Sequence, residues 1–321
     1  MKREAGRRGN SEFRIQNSEW GRRMAGLVLA AAAGCASPKA AQFTDADWVS
    51  HSTTGRGCYE RGDYRRAADA YGRAQRRARA MDDADALAVA AVNRAMCLLA
   101  EGKGGEARAG VDEALADERV SAGRRAELLV AGARAEVALH SADAAIERAE
   151  AALKLDPPPA VRAQASLAKS AAESAKNDSA AAAKALSEGL SPKEWGKLPE
   201  TLRAEQAARR AQIAATDGRT AEAAALLDEA AALWKKAGRL PEMARALAEA
   251  GRQAQASGDL AGACDRFGRA SRSLWAQGFQ SEAARALEQG VDCSELLQDE
   301  SVAKRMAELL VTFNGERRLS E

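Results

Sequence analysis

Gly62-Asp63-Tyr64-Arg65-Arg66-Ala67 opens a pattern that runs on to Tyr71 and Ala74 and then returns at a fixed interval. The same spacing recurs at Gly102, Ala107, Val111 and Ala114, at Gly218, Ala223, Leu227 and Ala230, and at Gly258, Ala263, Phe267 and Ala270. Since 102 − 62 and 258 − 218 both equal 40, the step is forty residues. A step of that length marks stacked supersecondary units and argues against a globular enzyme core. Fainter copies keep the register. His140-Ser141 leads to Ala145, Ile146, Ala149, Ala152, Leu153 and Pro157; Asn177-Asp178 leads to Ala182, Leu186 and Gly189; Gln298-Asp299 leads to Ala303, Ala307 and Leu310.

Each position has a physical reason. Glycine adopts the left-handed backbone of a helix stop at little steric cost, and the Asp or Asn that follows can cap the next helix. Five residues past the turn, alanine marks where two antiparallel helices cross too closely for a longer side chain. Four residues further a larger apolar residue fills the space beside that crossing. Small residues also stand seven before the turns, at Gly55, Ala95, Ala133, Ala211 and Gly251. The expectation is an all-α, right-handed α-solenoid of about seven helix hairpins over residues 48 to 313, followed by a short tail from 314 to 321.

These residues resemble the tetratricopeptide repeat, above all from Gly55 to Ala74 and from Ala145 to Pro157. The step exceeds that family's roughly thirty-four residues, and the family's early tryptophan is mostly missing. The resemblance implies a binding groove lined by the first helix of each hairpin, suited to an extended peptide or a partner helix. Carried over position by position, the groove residues are Arg56, Tyr59, Met96, Leu99, Gln212, Arg252 and Gln255. It implies a protein or peptide partner, no cofactor and no enzymatic activity. Family members with a lipid anchor assist outer-membrane protein assembly, pilus assembly or peptidoglycan enzymes.

Arg22-Arg23 precede Met24-Ala25-Gly26-Leu27-Val28-Leu29-Ala30-Ala31-Ala32-Ala33, an apolar run too short to span a bilayer but suited to the core of an export signal. It ends in Ala33-Gly34-Cys35, which resembles a bacterial lipobox. That resemblance implies cleavage before Cys35, acylation of Cys35, residues 1 to 34 as export segment and 35 to 47 as lipidated tether. Ala36 after the cysteine implies an outer-membrane, periplasm-facing address, and residues 1 to 20 suggest a start codon set too far upstream. The alternatives are an envelope sensor holding a small peptide or cell-wall fragment, and a cytosolic regulator if the lipobox is fortuitous.

Formal net charge is +2 with acids and bases interspersed, which gives no reason to expect nucleic acid. Arg65, Arg66, Arg73, Arg76, Arg77 and Arg79 form a local basic cluster that helical spacing spreads over several faces, hence a solvated surface. Besides Cys35 there are four cysteines, Cys58, Cys97, Cys264 and Cys293, with no metal-ligand spacing and only His51 and His140 to help, so no metal site is expected. Cys264 and Cys293 fall on neighbouring helices and are a candidate disulfide; the alternative is that all four are apolar fillers. No phosphate loop, helix-borne His-Glu pair or nucleophile elbow is present. The last hairpin ends at Leu309-Leu310-Val311-Thr312-Phe313 with no polar capping helix after it. Either Leu309 and Phe313 form a docking or homodimer surface, or they fold back on Leu296 and Leu297.

Overall fold

The computed structural model describes residues 43–301, 303, 304, 307–309 and 311–313; the export segment and Cys35 lie outside them. The chain divides into two compact units, which meet in sequence at Trp195 and Gly196. The repeat pattern by itself predicts one array over residues 48 to 313 and carries no mark of this division.

Unit 1 holds α1 (Ala46–Glu60), α2 (Tyr64–Ala80), α3 (Ala84–Ala100), α4 (Gly104–Leu115), α5 (Ala122–Ala138), α6 (Ala142–Lys154), α7 (Pro159–Ala175), α8 (Ser179–Gly189) and the single turn α9 (Pro192–Trp195). Unit 2 holds α10 (Glu200–Thr216), α11 (Thr220–Lys236), α12 (Leu240–Ser257), α13 (Leu260–Ala276) and α14 (Gln280–Leu297), with further helical residues between 300 and 313. No strand occurs among the described residues. In each unit successive helices pack along their length, α1 on α2, α2 on α3, α10 on α11 and so on, which is the expected solenoid of stacked hairpins.

All seven expected turns are found. Gly62, Gly102, His140, Asn177, Gly218, Gly258 and Gln298 have φ of 79°, 76°, 60°, 63°, 78°, 88° and 56°. The same left-handed stop recurs between hairpins, at Asp82, Gly238 and Gly278. From Gly218 to Gln298 a left-handed residue therefore comes every 20 residues, half the step visible in the sequence. From Gly62 to Gly278 the residue after each of these stops donates its N–H five residues back, as Asp63 does to Cys58 O at 3.0 Å, Arg239 to Trp234 O at 2.9 Å and Phe279 to Leu274 O at 3.0 Å. These bonds satisfy carbonyls that a helix end otherwise leaves open. Asp63, Asp83, Asp178 and Asp259 then cap the following helix by accepting from Arg66, Ala86, Ala181 and Gly262 N–H groups.

The close-crossing alanines point inward. Ala67, Ala107, Ala145, Ala182, Ala223 and Ala263 are all fully buried. Only the last hairpin is looser, with Ala303 half-buried and Ala307 exposed. The residue seven before a turn and the one nine after it match in size. Gly55 faces the ring of Tyr71 and Gly251 the ring of Phe267, whereas Ala211 shares a cluster with Leu227 and Ala95 one with Val111. A bare backbone makes room for a ring, and a methyl group leaves room for an aliphatic side chain.

The units differ in their second helices. In unit 2, α11 and α13 have 17 residues, matching their first helices. In unit 1, α2 also has 17, but α4, α6 and α8 have only 12, 13 and 11. There the first helices α3, α5 and α7 also touch one another directly.

Candidate functional site

The first helices carry most of the polar side chains that repeat from hairpin to hairpin, and unit 2 shows the pattern most fully. Arg245 of α12 donates from Nε and Nη2 to Glu282 of α14 at 2.7 and 2.8 Å, a bidentate pair, and its guanidinium lies 5.1 Å from the Phe279 ring centroid. Arg252 donates from Nη1 to Gln289 Oε1 at 3.2 Å and from Nε to Glu249 at 2.8 Å. Gln253 donates to the other oxygen of Glu249 at 2.9 Å. On α10, Arg209 donates to Gln212.

Translation by forty residues relates these groups, since 245 − 205, 252 − 212, 282 − 242 and 289 − 249 all equal 40. The helices that place Arg245 opposite Glu282 therefore place Glu205 and Glu242 in the corresponding register between α10 and α12. Both are buried, at 1% and 2% exposure, and Arg239 pairs with Glu242. Buried charges are tolerated only when paired and hydrogen-bonded, and this seam holds Arg209, Arg239 and Arg252 with Glu205, Glu242 and Glu249. Arg252, Gln255 and Gln212 form its half-buried edge.

The groove residues expected from sequence thus divide. Arg56 is exposed, and Gln212, Arg252 and Gln255 reach solvent in part. Tyr59, Met96 and Leu99 do not: they are 2%, 3% and 3% exposed in the core of unit 1, with Tyr59 edge-on to Tyr64 at 5.2 Å. These three are corrected from groove to core. For Met96 and Leu99, direct contact of α3 with the next first helix, α5, turns what would be a groove surface into packing, whereas Tyr59 on α1 is covered by its own cluster, Tyr64 included. The paired charges of unit 2 are absent from the sequence expectation; their signal is the forty-residue recurrence of Glu, Arg and Gln on the same helix side.

The opposite side, made by second helices, is tied by a second ladder. Arg148 of α6 donates to Asp112 of α4 at 2.7 Å and pairs with Glu136 of α5 at 3.3 Å. Arg266 of α13 donates to Asp228 of α11 at 2.7 Å. The acids stand ten residues after Gly102 and Gly218, and the arginines eight after His140 and Gly258. Gly132 permits the first, because a Cβ there would come within 2.8 Å of Arg148 Nη1.

The arginine cluster on α2 is solvated as expected, but its spread over several faces is corrected. Arg65, Arg66, Arg73 and Arg76 share one solvent-facing side of the helix, opposite buried Ala67, Ala70, Ala74 and Ala78, and do not scatter over several faces. Arg77 is drawn to Asp45, with Nε and Nη2 at 2.9 and 2.6 Å from its carboxylate, and Arg79 to Glu113 at 2.6 Å. The Arg77 hydrogen bonds, aided by the Trp48 amide, lower the Asp45 pKa to about 2.

At the end of unit 2, Phe313 is 6% exposed and stacks on Trp275 with ring centroids 4.1 Å apart. It is therefore core and not a docking residue. Leu297 and Leu309 pack partly against the same cluster, while Leu296 and Val311 are 62% and 72% exposed. Cys58, Cys97, Cys264 and Cys293 are buried free thiols. Among the described residues no group of His, Cys, Asp and Glu is arranged to hold a metal, and no helix is long and apolar enough to cross a membrane.

No family model and no curated protein matches the chain. Among solved structures it is similar to the TPR2AB-domain:pHSP90 complex of yeast Sti1, at 16% identity over 77% of this chain and 98% of that chain, with a TM-score of 0.34. It is also similar to a tetratricopeptide repeat protein from Parabacteroides merdae ATCC 43184, at 13% identity over 81% and 99% of the two chains, with a TM-score of 0.39.

Proposed function

We propose that this chain is a scaffold that holds a protein or peptide partner on the first-helix side of unit 2, and that a lipid on Cys35 anchors it to the periplasmic face of a bacterial outer membrane. The observation that carries the partner reading is the seam edged by Arg252, Gln289, Gln255 and Gln212. Arg252, Gln289 and Gln212 already sit in hydrogen-bonded positions, with half-buried Gln255 on the same edge, and a peptide's backbone and carboxylates can take the place of their present partners. Pre-positioned arginine and amide groups lose little freedom on binding. The anchor reading rests on Arg22-Arg23, the apolar run Met24 to Ala33 and Ala33-Gly34-Cys35. Several acyl chains on one residue anchor stably, where a single chain is marginal.

Two measurements test the readings separately. A photo-crosslinking residue at Arg252 is expected to capture a discrete partner in intact envelopes, while one at Arg269 on a second helix captures none; equal capture at both positions would sink the scaffold reading. Globomycin is expected to leave an unprocessed precursor, and Cys35→Ser to release the chain from membranes. Processing indifferent to both would remove the anchor.

A further inference from the structure

We infer that Cys264 and Cys293 form a reversible disulfide that fastens the final hairpin of unit 2 to the hairpin before it. Cys264 lies on α13 and Cys293 on α14, antiparallel helices packed along their length. Each thiol reaches the backbone of the opposite helix. Cys293 Sγ lies 3.3 Å from the carbonyl of Leu260, one turn before Cys264, and Cys264 Sγ lies 3.9 Å from the carbonyl of Gly290, one turn before Cys293. Such reciprocal reach puts both sulfurs in the same gap between the helices.

The other two cysteines do not share this arrangement: Cys58 Sγ instead takes a hydrogen bond from Arg61 Nη2 at 3.6 Å. The Cys264–Cys293 gap belongs to the cluster that also contains Phe267, Leu274 and Phe313. A bond there would hold the C-terminal half of α14 against the start of α13, where Cys264 lies.

The chemistry balances with an oxidant of the glutathione-disulfide class. One cysteine thiolate attacks the oxidant's disulfide, forms a mixed disulfide and expels a glutathione thiolate. The second cysteine thiolate then attacks the protein sulfur of that mixed disulfide and expels another. Two protein S–H bonds are lost, one S–S bond forms, and two electrons and two protons end on two glutathione thiols. Because Cys264 and Cys293 are 1% and 0% exposed, exchange must proceed through transient opening of α14. Burial pushes the Cys293 thiol up to about 12, which slows the first attack further without preventing it.

The inference is independent of both the anchor and the partner. The test is to incubate the purified full chain with oxidised glutathione, block remaining thiols in denaturant and digest with trypsin. The expected product is a linked pair of peptides, Gln253–Arg266 joined to Ala286–Lys304, sensitive to reductant, together with a rise of several degrees in the melting midpoint of unit 2. Recovery of both peptides unlinked and alkylated, or carrying separate glutathione adducts, would overturn the inference. Cys264→Ala and Cys293→Ala give the second readout, since in each the oxidation-dependent rise in midpoint should vanish; its persistence in either variant counts against the bond equally.

Discussion

Phe267 lies over the backbone of Gly251 so closely that a Cβ on that glycine would stand 2.8 Å from the ring carbon Cε1. Forty residues earlier the pair is Ala211 and Leu227, one carbon larger on one side and an aliphatic side chain on the other. The crossing is therefore tuned by the sum of two side chains. Gly251→Ala should destabilise unit 2 by about 1–3 kcal/mol through overpacking, set against the roughly 1 kcal/mol that alanine contributes to a helix. Adding Phe267→Leu should recover part of the loss. Denaturant midpoints of the two single variants and the double variant check this; strictly additive effects would show that the two positions do not share the space.

Glycine elsewhere gives the opposite sign. Gly110 in α4 has open space, with nothing within 4 Å of the point a Cβ would occupy, so Gly110→Ala should stabilise by about 0.5–1 kcal/mol. Gly258 has φ of 88°, and Gly258→Ala should cost about 1–2 kcal/mol although its surroundings are equally open. Thermal melts of the two variants distinguish backbone strain from crowding.

Acid should loosen the start of unit 1 at a defined point. The Asp45 pKa is lowered from 3.8 to about 2 by Arg77 and the Trp48 amide, so the interaction is fully present above pH 3.8 and is lost as pH falls through about 2. Trp48, 4.6 Å from Phe43, reports the change by fluorescence. Arg77→Gln should move the fluorescence transition to higher pH. An unmoved transition would show that Arg77 does not hold Asp45 ionised.

Phe313→Ala should expose Trp275 and free the helical residues between 300 and 313. Loss of a buried aromatic side chain costs about 3–5 kcal/mol in a full core, and about half that is expected here, where Leu309 is only partly covered. Hydrogen exchange should rise in that segment and in α13, with no change of mass in light scattering. A change of mass would return Phe313 to an interface role.

The seven hairpin turns are legible in the sequence because a left-handed helix stop is a local requirement, reinforced after Gly62, Asn177 and Gly258 by a capping aspartate. The buried alanines are legible for the same reason, as period and residue size agree. The intermediate stops at Asp82, Gly238 and Gly278 share the left-handed backbone and are readable, but the stronger forty-residue signal masks the twenty-residue one. Met96 and Leu99 are misplaced by the repeat pattern for a different reason: whether the inner side of α3 faces solvent depends on how near α5 comes, and these two first helices touch across the short α4; Tyr59 is misplaced because Tyr64 and its cluster cover it. The Arg245–Glu282 and Arg252–Gln289 pairs span 37 residues each and become visible only when two helices are set side by side.

With stops at Gly218, Gly238, Gly258, Gly278 and Gln298 evenly spaced, each helix from α11 to α14 occupies the same length of backbone whichever way it runs. Excision of forty residues would keep each surviving helix running in its original direction, whereas excision of twenty would reverse all that follow and turn the charged seam outward. The natural increment of growth or shortening in this chain is thus the pair of helices, even though the single helix is the smaller interchangeable part.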